Sequence, residues 1–340
     1  MKLRTALLSL AHAAVDMACA ALFFGFLLKG DVWLNMVFYN AFAFLMQLPM
    51  GVIADRLNRN MLFAGLGCAL VAASFLFTSV PLLAAIVAGI GNGAFHVGGG
   101  IEVINRSRDK AGPLGVFVSP GAIGLFLGRF YADKLSPLPF IMPCVMLVFG
   151  AAIILVSFKK ERFVSENPEL EVTLPKGGLL PLAALFIVVA LRSFMGTTDA
   201  FSAGDLLSGL SPLRAGLIPV LLLALGKAAG GFAADAVGTK LASVISLGLC
   251  AAGLLFPFHP VVKLIALFLF NMTMPITLYA SARLLKNARG TAFGLLTAAL
   301  YIGCVPYFLM GAASLSNYLA AALALGSLVL LLAGLKKEAA

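Results

Sequence analysis

Charged residues are scarce in this sequence, and their scarcity limits the class of protein it can encode. Only 11% of the 340 residues are Asp, Glu, Lys or Arg, whereas 61% are hydrophobic. A soluble domain usually carries about 25% charged residues, so the composition excludes a soluble globular protein and indicates an integral membrane protein. The net charge of +10 does not indicate nucleic-acid binding, because the basic residues are dispersed in short clusters between apolar runs.

Motifs for enzymatic catalysis are also missing. The chain contains neither the H-E-x-x-H of zinc hydrolases nor the G-x-S-x-G of serine hydrolases, and its polar segments are too short to form a cofactor site. We therefore predict that the protein is not an enzyme and that it needs no cofactor. The five cysteines all lie within apolar runs, which favours a role in packing.

Twelve apolar runs are each long enough to cross a bilayer, which takes about 20 residues in a helix. The first run is too long for the apolar part of a cleavable signal peptide, so we predict that it is a span. One polar connection, 159–178, is much longer than the others and predicts a linker between two six-helix bundles over 1–158 and 179–340. The predicted spans are 5–28, 32–54, 60–80, 82–105, 114–133, 136–158, 179–201, 212–235, 240–258, 261–283, 289–311 and 313–335.

The distribution of basic residues predicts the orientation of these spans. Most of the 24 lysine and arginine residues fall in the connections on the side that holds both termini. Cytoplasmic connections carry an excess of Lys and Arg, so we predict that both termini are cytoplasmic. The expected location is the cytoplasmic (inner) membrane.

A short motif occurs once in each half of the chain. Residues 51–59 read GVIADRLNR and residues 231–240 read GFAADAVGTK, and in both copies a glycine precedes Ala-Asp at the same offset. Each copy closes the second span of its half. Paired halves of this kind are typical of transporters whose halves move about a site near the membrane midplane.

The first copy resembles the signature loop between spans two and three of the major facilitator superfamily, through Gly51, Asp55, Arg56 and Arg59. The resemblance implies an all-α fold of twelve transmembrane helices in two pseudo-symmetric bundles. It also implies a cytoplasmic latch in which the aspartate is paired with the two arginines. The second copy keeps the aspartate but lacks the arginines, so we expect its latch to be weaker. The predicted gating residues are Asp55, Arg56, Arg59, Asp235 and Lys240.

Ionisable residues within the predicted spans are the candidate proton carriers. A charge at the centre of a span costs about 2.5–3.5 kcal/mol to insert, so such residues usually face the bundle interior and mark a path for substrate or ions. His12 and Asp16 are four residues apart and share one face of the first span. We predict that they exchange protons together with His96 and Glu102 of the fourth span.

Candidate substrate-binding residues are fewer and lie mostly in the second half. Arg192, within the seventh span, is the best candidate for an anionic group, because its planar guanidinium matches a carboxylate or phosphonate. Four further polar residues within spans are candidates for lining a cavity. They are Tyr39, Asn40, Asn271 and Tyr301.

Several motifs resemble one branch of the superfamily, the fosmidomycin-resistance-like exporters. They are the His-x-x-x-Asp of residues 12–16, Phe95–His96, Arg192–Ser193 and the ARGTAFGLL of residues 288–296. Where the branch often continues Phe-His with Pro-Glu, this chain has Val97–Gly98. The resemblance implies a proton-coupled exporter of small amphipathic or anionic compounds.

These observations lead to one principal hypothesis and one alternative. We predict a secondary transporter that works by alternating access and expels a small molecule in exchange for protons. The protein is expected to be a monomer surrounded by membrane lipid. The alternative is uptake, or transport of a divalent metal, because two histidines and two carboxylates suit a borderline cation.

Overall fold

The computed structural model describes residues 2–135, 137–157, 172, 174–257 and 259–336. Within these residues the chain is helical and contains no strand. Eleven of the described helices are long and apolar enough to cross a membrane, and a twelfth apolar helix, Thr239–Leu255, has 17 residues. The predicted all-α membrane fold is therefore confirmed. Most of the predicted linker 159–178 lies outside the described residues.

The twelve helices match the twelve predicted spans in number and order, and their ends differ by a few residues. A short helix, Gly204–Leu207, follows the seventh. We number the long helices α1 (Leu3–Leu27), α2 (Val32–Leu57), α3 (Asn60–Phe77), α4 (Pro81–Arg106), α5 (Gly112–Tyr131), α6 (Leu138–Ser157), α7 (Leu179–Gly196), α8 (Pro212–Val237), α9 (Thr239–Leu255), α10 (Pro260–Leu284), α11 (Arg289–Met310) and α12 (Asn317–Gly334).

The described residues form two compact units. The first contains those of 1–108, 120–172 and 286–298, and the second contains those of 109–119, 173–285 and 299–340. The first turns of α11 thus belong to the first unit, and the first turns of α5 belong to the second. The division into bundles over 1–158 and 179–340 remains a prediction.

In the first unit, glycines bring α5 close to α1. A methyl group at Gly124 would overlap the carbonyl of Ala13, and one at Gly128 would overlap the carbonyl of Met17. Small residues at such a contact let two helix backbones pack directly against each other. The face of α1 that carries residues 12 and 16 is therefore covered by α5.

In the second unit, α10 is interrupted at Met272, between the helical stretches Pro260–Asn271 and Thr273–Leu284. Gly230 of α8 lies against the Met272 carbonyl, where a side chain would not fit. The interruption therefore lies at a close helix contact, beside the part of α10 that faces α7.

Candidate functional site

Two helices of the first unit each present a pair of polar residues one turn apart. His12 and Asp16 lie on α1, and Asn92 and His96 lie on α4. Residues at i and i+4 share a helix face, so each helix aligns its pair. The packing of α1 against α4 brings the two pairs into contact.

Three of these side chains form a tight cluster, which we call the His-His-Asp triad. Nε2 of His96 is 2.8 Å from Nε2 of His12. Nε2 of His12 is 3.2 Å from Oδ2 of Asp16, and Nε2 of His96 is 3.8 Å from Oδ1. His12 is buried, and the other two side chains are mostly buried. The structure thus brings together three of the four predicted proton carriers.

The hydrogen bonds fix where protons lie in the triad. Nδ1 of His96 is 2.9 Å from the Asn92 carbonyl oxygen, which can only accept, so Nδ1 of His96 carries a hydrogen. The bond between the two Nε2 atoms requires a hydrogen on one of them and a lone pair on the other. One hydrogen therefore lies between the two Nε2 atoms, beside the carboxylate of Asp16.

Asn92 orients the triad, and it was not among the residues predicted from the sequence. Its amide nitrogen donates to Oδ1 of Asp16 at 3.2 Å and contacts Sγ of Cys19 at 3.6 Å. Its backbone carbonyl accepts from Nδ1 of His96. The signal that identifies it is its spacing, because it lies one turn before His96 on the same face of α4.

Gly121 of α5 closes the triad from the other side. A methyl group at this position would overlap both Nε2 of His12 and Oδ2 of Asp16. Because Gly121 has no side chain, the imidazole of His12 and the carboxylate of Asp16 can occupy this space.

Glu102, the fourth predicted proton carrier, is not part of the triad. It is buried near the end of α4, where it forms ion pairs with Arg4 at 3.1 Å and with Arg106 at 2.5 Å. Arg4 also donates to the carbonyl of Val156. These contacts tie α1, α4 and α6 together.

Arg192 lies in the second unit and is only 8% exposed. Its Nη1 donates to Oγ1 of Thr277 at 3.3 Å. Among the described residues no carboxylate lies within ion-pair distance of its guanidinium. The other guanidinium nitrogens of Arg192 are not among the buried, unpartnered polar atoms of the described residues. They therefore border open space.

The other predicted substrate-binding residues differ in their surroundings. Tyr39 lies within hydrogen-bonding reach of Cys19, next to the triad. The amides of Asn40 and Asn271 donate to backbone carbonyls one turn earlier in their own helices. Tyr301 packs on a neighbouring aromatic ring of α11. Of these four, the structure brings Tyr39 next to the triad.

The two copies of the repeated motif make equivalent contacts. Asp55 accepts hydrogen bonds from the backbone amides of Gly290 and Thr291, at 2.7 and 2.8 Å, and from Oγ1 of Thr291 at 2.9 Å. Asp235 accepts from the amides of Ala111 and Gly112 at 2.7 and 3.0 Å. Each aspartate therefore binds the N-terminus of a helix, α11 in one case and α5 in the other.

The predicted basic partners are not involved in these contacts. Arg56, Arg59 and Lys240 are exposed and form no ion pair with a described residue. Asp55 is followed directly by Arg56, and successive residues point about 100° apart around a helix. The aspartate can therefore face inwards while the arginine faces solvent.

The triad is also the one place among the described residues where three possible metal ligands converge. One ligand atom each from His12, Asp16 and His96 lies within 4.8 Å of the others. Two imidazoles and one carboxylate can hold either a proton or a metal ion.

Comparison with known proteins identifies relatives of this architecture. The sequence profile of the Major Facilitator Superfamily matches residues 29–307. The human organic anion transporter MFSD10 (TETRAN) has a TM-score of 0.69 at 17% identity, over 96% of this chain and 99% of that one. The E. coli fucose:proton symporter FucP has a TM-score of 0.64 at 14% identity, over 97% of each chain. A bacterial homologue of the iron transporter ferroportin, in an outward-facing state, has a TM-score of 0.67 at 14% identity, over 98% of each chain. A search of curated sequences gave no significant match.

Proposed function

This chain belongs to the major facilitator superfamily, and we propose that it exports a small organic anion in exchange for protons. Membership makes it a multi-pass membrane transporter of a small molecule. The names of its structural relatives describe an organic anion transporter, a fucose:proton symporter and a homologue of an iron transporter. The fold thus accommodates cargo of different chemistry, so the cargo must be argued from the residues of this chain.

The observation that carries the proposal is the environment of Arg192. An arginine remains charged in proteins, and a buried charge without a counter-charge is strongly destabilising. The only described partner of this guanidinium is the Thr277 hydroxyl, which itself donates to the Met274 carbonyl. An anionic group of the cargo, such as a carboxylate, phosphonate or sulfonate, would neutralise the charge and use the free nitrogens as a fork.

The triad supports proton coupling. One hydrogen lies between the Nε2 atoms of His12 and His96 beside Asp16, so a proton added to or removed from the histidine pair changes the charge next to this carboxylate. Buried ionisable groups of this kind serve as proton relays in pumps and transporters. Inward movement of protons through the triad would drive the anion out.

The two aspartate contacts support gating by alternating access. Asp55 and Asp235 hold the first turns of α11 and α5 in equivalent ways, and we propose that each contact breaks and re-forms in the transport cycle. Cytoplasmic termini, an inner-membrane location and membership of the fosmidomycin-resistance-like branch belong to the same proposal.

Transport by proteoliposomes tests the proposal. The probes are benzoate, phenylphosphonate and benzenesulfonate, with benzamide as the neutral analogue, and the readout is proton flux reported by a trapped pH-sensitive dye. We expect at least one anion to exchange for protons, with loss of exchange in Arg192→Gln and in Asp16→Asn. Arg214→Gln removes an exposed arginine of the same unit and should behave as the parent. Equal transport of benzamide, or full activity of Arg192→Gln, would contradict the proposal, and the sign of the flux distinguishes export from uptake.

A further inference from the structure

We propose that the His-His-Asp triad is also a binding site for a divalent transition-metal cation such as Zn²⁺ or Co²⁺. The ligands are Nε2 of His12, Nε2 of His96 and the carboxylate of Asp16. This inference is independent of the anionic cargo.

The distances among these atoms match those of a metal's ligands. A tetrahedral zinc site has metal–ligand distances of about 2.0–2.2 Å, which place the ligand atoms roughly 3.3–3.6 Å apart. The two Nε2 atoms are 2.8 Å apart, Nε2 of His12 is 3.2 Å from Oδ2 of Asp16, and Nε2 of His96 is 3.8 Å from Oδ1. One ligand atom from each of the three residues lies within 4.8 Å of the others, so modest side-chain rotations would bring three ligand atoms to the tetrahedral spacing.

The surroundings orient the ligands as metal sites require. Histidines that bind metals almost always donate their other ring N–H to a carbonyl, a carboxylate or water, and Nδ1 of His96 donates to the Asn92 carbonyl. The Asn92 amide in turn holds one oxygen of Asp16. Three protein ligands leave the fourth tetrahedral position open for water or another exchangeable group.

The charge and the ligand types favour a divalent transition metal. Asp16 has no lysine or arginine partner among the described residues, so no fixed cation competes for its carboxylate. Imidazole ligands suit Zn²⁺, Cu²⁺, Ni²⁺ and Co²⁺, whereas Mg²⁺ and Ca²⁺ prefer oxygen ligands. The metal would occupy the same lone pairs as the shared proton, so the two exclude each other.

Direct metal binding to the purified full-length protein tests this site. Co²⁺ is titrated while its visible ligand-field bands are recorded, and Zn²⁺ is then added as a competitor. We expect one tetrahedral Co²⁺ per chain, displaced by Zn²⁺, with at least tenfold weaker binding in His12→Ala, His96→Ala and Asp16→Asn. Asn92→Ala should weaken binding 10- to 100-fold, as loss of an orienting partner does.

The third histidine provides a matched control. His259 is exposed at the start of α10, where its ring accepts from the Val261 amide, and His259→Ala should bind Co²⁺ as the parent does. Melting temperatures without metal establish that each variant is folded. No Co²⁺ or Zn²⁺ binding by the parent, or unchanged binding in both triad histidine variants, would overturn the assignment.

The experiment separates this inference from the proposed function. Metal binding needs neither a cargo nor a vesicle. Intact Co²⁺ binding with no anion–proton exchange would remove the proposed function and leave the metal site. Anion–proton exchange without Co²⁺ binding would remove the metal site and leave the proposed function.

Discussion

Replacing Gly121 by alanine perturbs the triad without changing any ionisable group. The new methyl group would overlap Nε2 of His12 and Oδ2 of Asp16. Both atoms end flexible side chains, so they can retreat, and a normal van der Waals separation requires a movement of about 1 Å. We predict that Gly121→Ala breaks the hydrogen bond between His12 and His96.

The magnitudes favour a folded protein with a broken triad. The bond between the two Nε2 atoms is 2.8 Å long, and a displacement of about 1 Å would take it beyond hydrogen-bonding range. Overpacking a filled interior costs about 1–3 kcal/mol, and exchanging glycine for alanine in a helix returns at most about 1 kcal/mol. The net loss of about 0–3 kcal/mol is below the stability of a typical folded protein and should leave the fold intact.

Nitrogen NMR of protein labelled with ¹⁵N-histidine can detect this change directly. The chain has only 3 histidines, and His259→Ala identifies the signal of the one outside the triad. In the parent we expect a coupling between the two Nε2 nuclei across their shared proton. In Gly121→Ala we expect two uncoupled imidazoles and, in vesicles, a loss of proton exchange of up to about a hundredfold, as a misplacement of 1 Å can cause.

A second glycine provides the control. A methyl group at Gly248 of α9 would meet nothing within 4 Å, so Gly248→Ala should preserve the coupling. If Gly121→Ala kept the coupling between the two Nε2 nuclei while remaining folded, the packing argument for the triad would be refuted.

Two further predictions concern aspartates outside the triad. Asp55→Ala removes three hydrogen bonds and Asp235→Ala removes two. Because loss of a helix cap costs about 0.5–2 kcal/mol and Asp55 is buried, Asp55→Ala should lower the melting temperature more than Asp235→Ala. Equal decreases in melting temperature would contradict this ranking. Hydrogen bonds from the Ser314 hydroxyl and the Leu315 amide hold the pKa of the exposed Asp199 below its ordinary value. The stabilisation from this depressed pKa is present at neutral pH and is lost as the pH falls through the folded-state pKa. The parent should therefore melt slightly above Asp199→Asn at neutral pH, and this difference should vanish in acid. A difference in melting temperature that does not depend on pH would contradict the prediction.

The helices could be predicted from the sequence because the length of an apolar run is a local property. All twelve spans have the predicted order, and the shortest, Thr239–Leu255, still follows a copy of the repeated motif. Pairing within one helix was equally local, and the spacing of His12 and Asp16 placed them on one face. That His96 meets them depends on how α1 packs against α4, which spacing does not show.

Helical geometry applied to the sequence alone excludes Glu102 from the helix face that carries His96. Glu102 lies six positions after His96, so an α-helix carries it about 9 Å along the axis and roughly 120° around it. It therefore could not share the face of His96, whereas Asn92, at one turn, could. Residue type alone favoured the carboxylate, but helical geometry favours the amide.

The repeated motif is explained by the contact that it makes. Gly51 lies four residues before Asp55, and Gly231 four before Asp235; a methyl group at Gly51 would overlap the Gly290 carbonyl, and one at Gly231 would crowd the backbone at residues 111–112. In each copy the glycine admits the end of another helix, and the aspartate binds the amides exposed there, where the helix dipole favours a negative charge. The exposed Arg56 and Arg59 form no ion pair with a described residue at this contact. The second copy retains its glycine and aspartate without them, and a role of the first-copy arginines in orienting the chain remains a prediction.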